Sequence, residues 1–444
     1  MVTVHQHWDP LKVCAVGRCY PPHFYSRIKN KKVRSVMERI AIETEEDFQK
    51  LISKLQEFGV TVLRTDISDD PEVYVNDKIQ QKKGEGHVTK YPPMFPRDYT
   101  GMVGNTFFMP SRNYGQNIDV RSVFNKLTTG QMKDMTYREK LMAKMLEEMI
   151  EPDKNLSTSM SLFKFRTNKK YHSPSKTLMG LDFDKIRDEI IKAETMQIGA
   201  ANKVHNFGEF YPYASIENWC KENNVPIKYD QYINTASIIR CGKDLYFSFV
   251  HVINKLNQKH FDDKMRRLFP DYRLNYLENT GHCDAVTCAI KPGLVVSLKG
   301  TEDCQKLFPD WDVCSIPGES WGKIDGFLKM KEKNKGKYFI AGEEDNDELI
   351  EYIDSWLGHW VTYVEESVFD VNMLVIDQNN VICNSYNEKV FKYFEKHNVT
   401  PHIVNFRHRY FWDGGLHCIT SDISREGQQN DYFPERNYTT NLIE

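Results

Sequence analysis

The chain lacks any apolar run of transmembrane length, any CxxC pair and any basic stripe. A helix needs about 20 consecutive apolar residues to cross a bilayer, so no membrane partner is expected. The ten cysteines are scattered, which argues against a disulfide framework and against a zinc site. The histidines and aspartates also lack ligand spacing, so neither a metal nor an organic cofactor is expected. Lys and Arg together number 59 against 62 Asp and Glu, a net charge of −3. Without clustered cations to neutralise phosphates, nucleic acid is not expected as the main partner. The first residues, MVTVHQHWDPLKVCAVG, run straight into strand-like sequence. No charged region followed by an apolar one is visible there, so no secretory signal is expected. The setting that follows is reducing and cytoplasmic, where most cysteines are small buried hydrophobes.

What is present suffices for a large core. Of 444 residues, 40% are hydrophobic and 27% charged, both ordinary for a globular chain. That length allows two or three domains, or one repeat-built domain with an insertion. A repeating pattern of strand pair, helix and strand favours the second. Lys12–Arg18 reads as a strand, Val36–Phe58 as an amphipathic helix capped at Gly59, and VTVLRTD as the next strand. Pro96–Pro110 opens a second unit, with Gly104-Asn105 as its turn. INTASIIRCGKDLYFSFV opens a third across Cys241-Gly242-Lys243-Asp244, followed by a helix at Phe261–Leu268 and the strand YRLNYL. A fourth turns at Pro292-Gly293, then continues through a short helix at Cys304–Leu307 to DVCSI. NMLVIDQNNVICN, a helix at Glu388–His397 and HIVNF make the fifth. The alternative is a generic α/β protein with mixed sheets. From about 113 to 229 the rhythm breaks into Lys-, Glu- and Met-rich sequence with helical spacing, which reads as a largely helical insertion.

Three short segments could carry chemistry. In Phe406–Asp422, Gly414 and Gly415 precede His417 and Cys418. Glycines permit a tight turn and close approach, so Cys418 either points into a cleft or is simply structural. In Glu278–Cys288, His282 and Asp284 lie two residues apart. In an extended segment that spacing puts both on one face, suited to moving protons and holding a cation. A strand-edge histidine beside an exposed aspartate is the plainer reading. Third, Asp98 follows Pro96-Arg97 ahead of an apolar strand, where it could equally cap or pair with Arg97.

Taken in order, these motifs resemble the glycine amidinotransferase family over nearly the whole chain. HWDPLKVCAVGR, PRDYTGMVGN, TASIIRCGKDL, NTGHCDA and the block from NMLVID through FWDGGLHCITSD carry the resemblance. It implies a pentein-type α/β propeller: five ββαβ units around a pseudo-fivefold axis, in a single domain over 1–444. It also implies transfer of an amidino group from a guanidino donor to an amine acceptor, without cofactor, by an enzyme that could be a homodimer. Carried over by position, Cys418 is the nucleophile, and His282 the general acid and base. Asp98 and Asp284 hold the guanidinium, and Asn279 lies beside the substrate. A guanidinium is a planar delocalised cation, so carboxylates must hold it while a thiolate attacks its carbon. The other histidines, His417 among them, read as packing or surface residues.

The sequence departs from the family at three places. Asn234 stands where the relatives have the aspartate that orients the histidine, unless Asp230 takes that part. An amide oxygen can still fix the ring tautomer but cannot stabilise an imidazolium by charge. Glu302 replaces a carboxylate-binding arginine, and Glu365 and Glu366 replace a serine pair. Either these acids favour an amine over a carboxylate in the substrate, or they face solvent and a residue such as Lys299 meets the carboxylate. A guanidino hydrolase of the same architecture and a non-catalytic binding protein are the alternative functions.

Overall fold

The computed structural model describes residues 2–74, 88, 90–110, 210–230, 233–249, 262, 264–278, 282–298, 304–316, 340–357 and 368–436. Within them the chain is α/β, with mixed sheets and crossing helices. The strands are β1 (Leu11–Val16), β2 (Thr61–Arg64), β3 (Gly101–Val103), β4 (Thr106–Met109) and β5 (Ile227–Tyr229). They continue as β6 (Ile238–Cys241), β7 (Asp244–Phe249), β8 (Arg273–Glu278), β9 (Thr287–Lys291) and β10 (Leu294–Leu298). β11 (Asp312–Ile316), β12 (Leu374–Asp377), β13 (Asn380–Cys383), β14 (Thr400–Ile403) and β15 (Thr420–Arg425) complete the series. They form five three-stranded sheets, ordered β15-β1-β2, β3-β4-β5, β6-β7-β8, β9-β10-β11 and β12-β13-β14. In every sheet the central strand pairs antiparallel on one side and parallel on the other. An antiparallel pair closes with a tight turn, whereas a parallel pair needs a crossover. The turns at Gly104, Gly242 and Gly293 all have positive φ, which glycine adopts without steric cost.

Lys31–Glu57 shows why a crossover is helical here. Val33, Met37, Ile40, Ala41, Thr44, Phe48, Leu51 and Leu55 recur at helical spacing and are all buried. The Asn30 side chain accepts from the Lys32 and Val33 amides at 3.0 and 3.4 Å and so caps the start. Gly59, with φ of 72°, ends the helix. Glu388–Lys396 is built in the same way, capped by Asn387.

Two observations differ from the sequence reading. The sheet containing β1 is completed by β15 from the other end of the chain, with Cys14 opposite Asp422. Residues 227–229 form β5, parallel to β4, after a helix at Ala214–Glu222. The second unit therefore resumes before residue 229, and 111–209 lie outside the described residues. Among the described residues, no helix is long and apolar enough to cross a membrane.

Beneath the ends of several strands sits a buried charge cluster. Asp422 accepts from Arg97 at 2.9 Å, from Arg240 at 2.8 Å through each oxygen, and from Arg425 at 2.7 Å. The same guanidiniums donate to backbone carbonyls: Arg97 to His417 and Thr420, Arg240 to Met102, and Arg425 to Asp9 and Val375. Burial opposes ionisation of Asp422, yet Arg240, Arg97 and Arg425 hold its carboxyl well below the usual range. One carboxylate thus ties β15, β6 and the turn before β3 together, and through Arg425 also β12.

Candidate active site

Cys418 follows a short helix, Arg409–Trp412, and the left-handed residue Asp413. A Cβ on Gly414 would lie 2.1 Å from the Phe95 ring, and one on Gly415 2.7 Å from Asn372 Oδ1. The glycine pair is therefore needed for protein packing against this turn. Arg97 Nε clamps the turn from below through the His417 and Thr420 carbonyls, at 2.8 and 2.9 Å.

The Cys418 sulfur sits between two polar groups. Asn372 Nδ2 lies 3.0 Å away and Asp284 Oδ2 3.4 Å. Asn372, at the end of a short helix, Val368–Val371, also accepts the His417 and Cys418 amides on Oδ1 at 2.9 and 3.1 Å. Its Nδ2 donates to the Asp284 carbonyl at 3.1 Å. Asp284 stands in a 3-10 turn, Cys283–Ala285, that directly follows His282. The two residues do not share one face of an extended strand, because the segment turns. Asp284 Oδ2 accepts from His417 Nδ1 at 2.8 Å. Burial, with Arg97 and His7 nearby, keeps His417 well below the ordinary histidine value, so its ring is neutral and Nδ1 carries the proton facing the carboxylate.

Burial pushes the Asp284 carboxyl up to about 6; Asp98 adds to this, while His282, Arg97 and the Cys418 contact oppose it. Asp98 is itself buried, in the 3-10 turn Pro96–Asp98. His282 Nδ1 lies 3.8 Å from Asp98 Oδ1, and the imidazole is 34% exposed. Arg97 pairs with Asp422, not with its neighbour Asp98. The small cavity behind Asp284 and His417, about 10 Å³, is too small for a guanidinium. The accessible side is that of Cys418 and His282, both partly exposed. All ten cysteines are free. Burial raises the thiols of Cys14, Cys220 and Cys288 to about 12 and those of Cys304 and Cys314 to about 11, leaving them inert. The Cys418 thiol thus contacts Asp284, whose carboxyl feels both His282 and Asp98, a set that can hold a planar cation against a sulfur nucleophile.

The chain is similar in sequence to amidinotransferases. It is 26% identical to the mitochondrial glycine amidinotransferase of Xenopus tropicalis over 239 residues, covering 51% of this chain and 47% of that protein. Against the Danio rerio mitochondrial glycine amidinotransferase the identity is 22% over 457 residues, covering 97% of this chain and 85% of the relative. The chain spans about half the length of the first curated relatives it matches. Among solved structures, the inosamine-phosphate amidinotransferase of Streptomyces griseus aligns over 97% of this chain and 99% of its own, at 16% identity and a TM-score of 0.49. No protein-family model matches. The resemblance read from the motifs is therefore matched by sequence similarity to amidinotransferases.

Of the residues singled out in sequence, the structure brings Cys418, His282, Asp98 and Asp284 together. Asn234 is buried, and its Oδ1 accepts the Ser237 amide at 2.9 Å. That bond fixes the turn leading into β6. Asp230 forms an ion pair with Lys264 at 2.9 Å. Asn279, Lys299, Glu302, Glu365 and Glu366 lie outside the described residues. Sequence reasoning passed over Asn372 and set His417 aside as packing or surface. The signal for Asn372 is an amide interrupting the apolar run VNMLVI; for His417 it is adjacency to Cys418.

Proposed function

We propose that this protein is an amidinotransferase acting through a covalent amidino-Cys418 intermediate. The observation that carries the reading is the Cys418 sulfur 3.4 Å from the buried carboxylate of Asp284, beside the Asp98–His282 pair. Similarity to amidinotransferases supports it. Five sheets of one repeated pattern support a pentein-type propeller around a pseudo-fivefold axis. Ten free thiols support a reducing compartment such as the cytoplasm.

In the proposed reaction Asp98 and Asp284 hold the donor guanidinium with its carbon facing the thiolate. Attack forms a C–S bond and a tetrahedral carbon. The C–N bond to the departing amine then breaks as His282 protonates that nitrogen. An incoming amine next attacks the amidino carbon and yields its proton to His282, and the C–S bond breaks to restore the thiolate. The scaffold that orients the carboxylate is His417, through its bond to Asp284. Asn234 holds the turn before β6 through the Ser237 amide, and the Ala236 carbonyl of that turn accepts the Asp284 amide at 3.2 Å. The acidic side chains of Glu302 and Glu366, where the family has groups that bind a carboxylate, favour an amine over a carboxylate in the donor or the acceptor, and the resemblance gives Asn279 a part in binding the substrate.

The test is transfer of a labelled amidino carbon from arginine to a panel of amines. The label is expected on the amine, with polyamines or amino sugars preferred to glycine. Label released to water at the same rate with or without an amine would instead identify a hydrolase. The pH profile adds a second check. Asp284 must be ionised to hold a cation and titrates at about 6, so kcat/KM falls about tenfold per pH unit below that value. Stability runs the other way. A raised carboxyl favours the protonated fold, a contribution present below the unfolded value of 3.8 and lost as pH rises through about 6.

A further inference from the structure

We infer that Asn372 is a further residue of the reaction centre, holding the Cys418 sulfur as an acceptor and fixing its distance from the cation clamp. The inference rests on the reading of Cys418 as nucleophile. The orientation of the carboxamide follows from its partners. Two backbone amides, of His417 and Cys418, point at one atom, which must be the oxygen because an N–H cannot accept. The Asp284 carbonyl faces the other atom, which must be the nitrogen because a carbonyl cannot donate. The group 3.0 Å from the sulfur is therefore an N–H donor. A donor aimed at sulfur favours thiolate over thiol, since the anion is the stronger acceptor.

The same carboxamide bridges both halves of the site. Its oxygen sets the Cys418 backbone, and its nitrogen sets the Asp284 backbone. Truncating it would loosen the sulfur from the carboxylate that is to hold the guanidinium. Asn372 is itself fixed: Asn384 Nδ2 donates to its carbonyl at 2.9 Å and to that of Phe369 at 3.0 Å. Gly415 leaves it room, since a Cβ there would come within 2.7 Å of Oδ1.

The experiment is the rate of alkylation of Cys418 by iodoacetamide against pH, on the full chain, with the modified residue located by peptide mass. Asn372→Asp keeps an oxygen for the two amides but loses the donor at neutral pH; Asn372→Ala loses both without adding charge. Each is expected to raise the pH midpoint by about one unit, which is about tenfold slower alkylation at pH 7. Gly415→Ala, which displaces the carboxamide without changing its chemistry, should raise the midpoint in the same direction and serves if the Asn372 variants do not fold. Unmoved midpoints in folded variants would overturn the inference. A raised midpoint in a protein that takes up no amidino group would uphold the role of Asn372 and remove the transferase reading.

Discussion

Asp422→Asn is expected to destabilise the protein by about 3–5 kcal/mol, the cost of leaving buried charge without its partner. Arg97, Arg240 and Arg425 would remain buried with their counter-ion removed. Since whole domains are stable by only about 5–15 kcal/mol, much of the folded population would be lost. Urea denaturation measures this directly. A second variant separates charge from packing: Arg240→Met on the Asp422→Asn background removes one stranded cation and should recover part of the loss, giving a non-additive cycle. The sign with pH follows from the depressed carboxyl of Asp422. Its contribution is present above the unfolded value of 3.8 and is lost only as pH falls through the lower folded value. Asp422→Asn as stable as wild type would show that the cluster is not ionic.

His282→Gln is expected to lower kcat/KM for a guanidino donor by about 10²–10⁴, the usual worth of a positioned acid and base. Glutamine retains a hydrogen-bonding group of similar reach but cannot move a proton. The decisive comparison uses an S-alkyl isothiourea donor, whose thiolate leaves without protonation. Formation of the covalent intermediate from that donor should be much less impaired by His282→Gln. Equal losses with both donors would mean that His282 does not protonate the leaving group.

Much of this architecture could be read from the chain because its signals are local. The hairpin turns at Gly104, Gly242 and Gly293 and the cap at Gly59 each specify their own few residues. The pairing of β15 with β1 is a contact between chain ends, and no local pattern encodes it. Ile227–Tyr229 is too short, at three residues, for alternation to mark it as a strand. At the site, Cys418, His282, Asp98 and Asp284 were legible as side-chain types in ordered motifs. The 3-10 turn at Cys283–Ala285 was not, since two-residue spacing fits an extended segment equally well. Asn372 and His417 act by meeting Cys418 and Asp284 across long sequence separations. Their parts emerge only when the sheets bring them together.

Intact-protein mass after incubation with a guanidino donor, without acceptor, tests the nucleophile most directly. The expected result is one amidino group added to the wild type, mapped to Cys418, discharged by an added amine and missing from Cys418→Ala. Donor turnover that survives in Cys418→Ala, or an adduct carried on another residue, would contradict it.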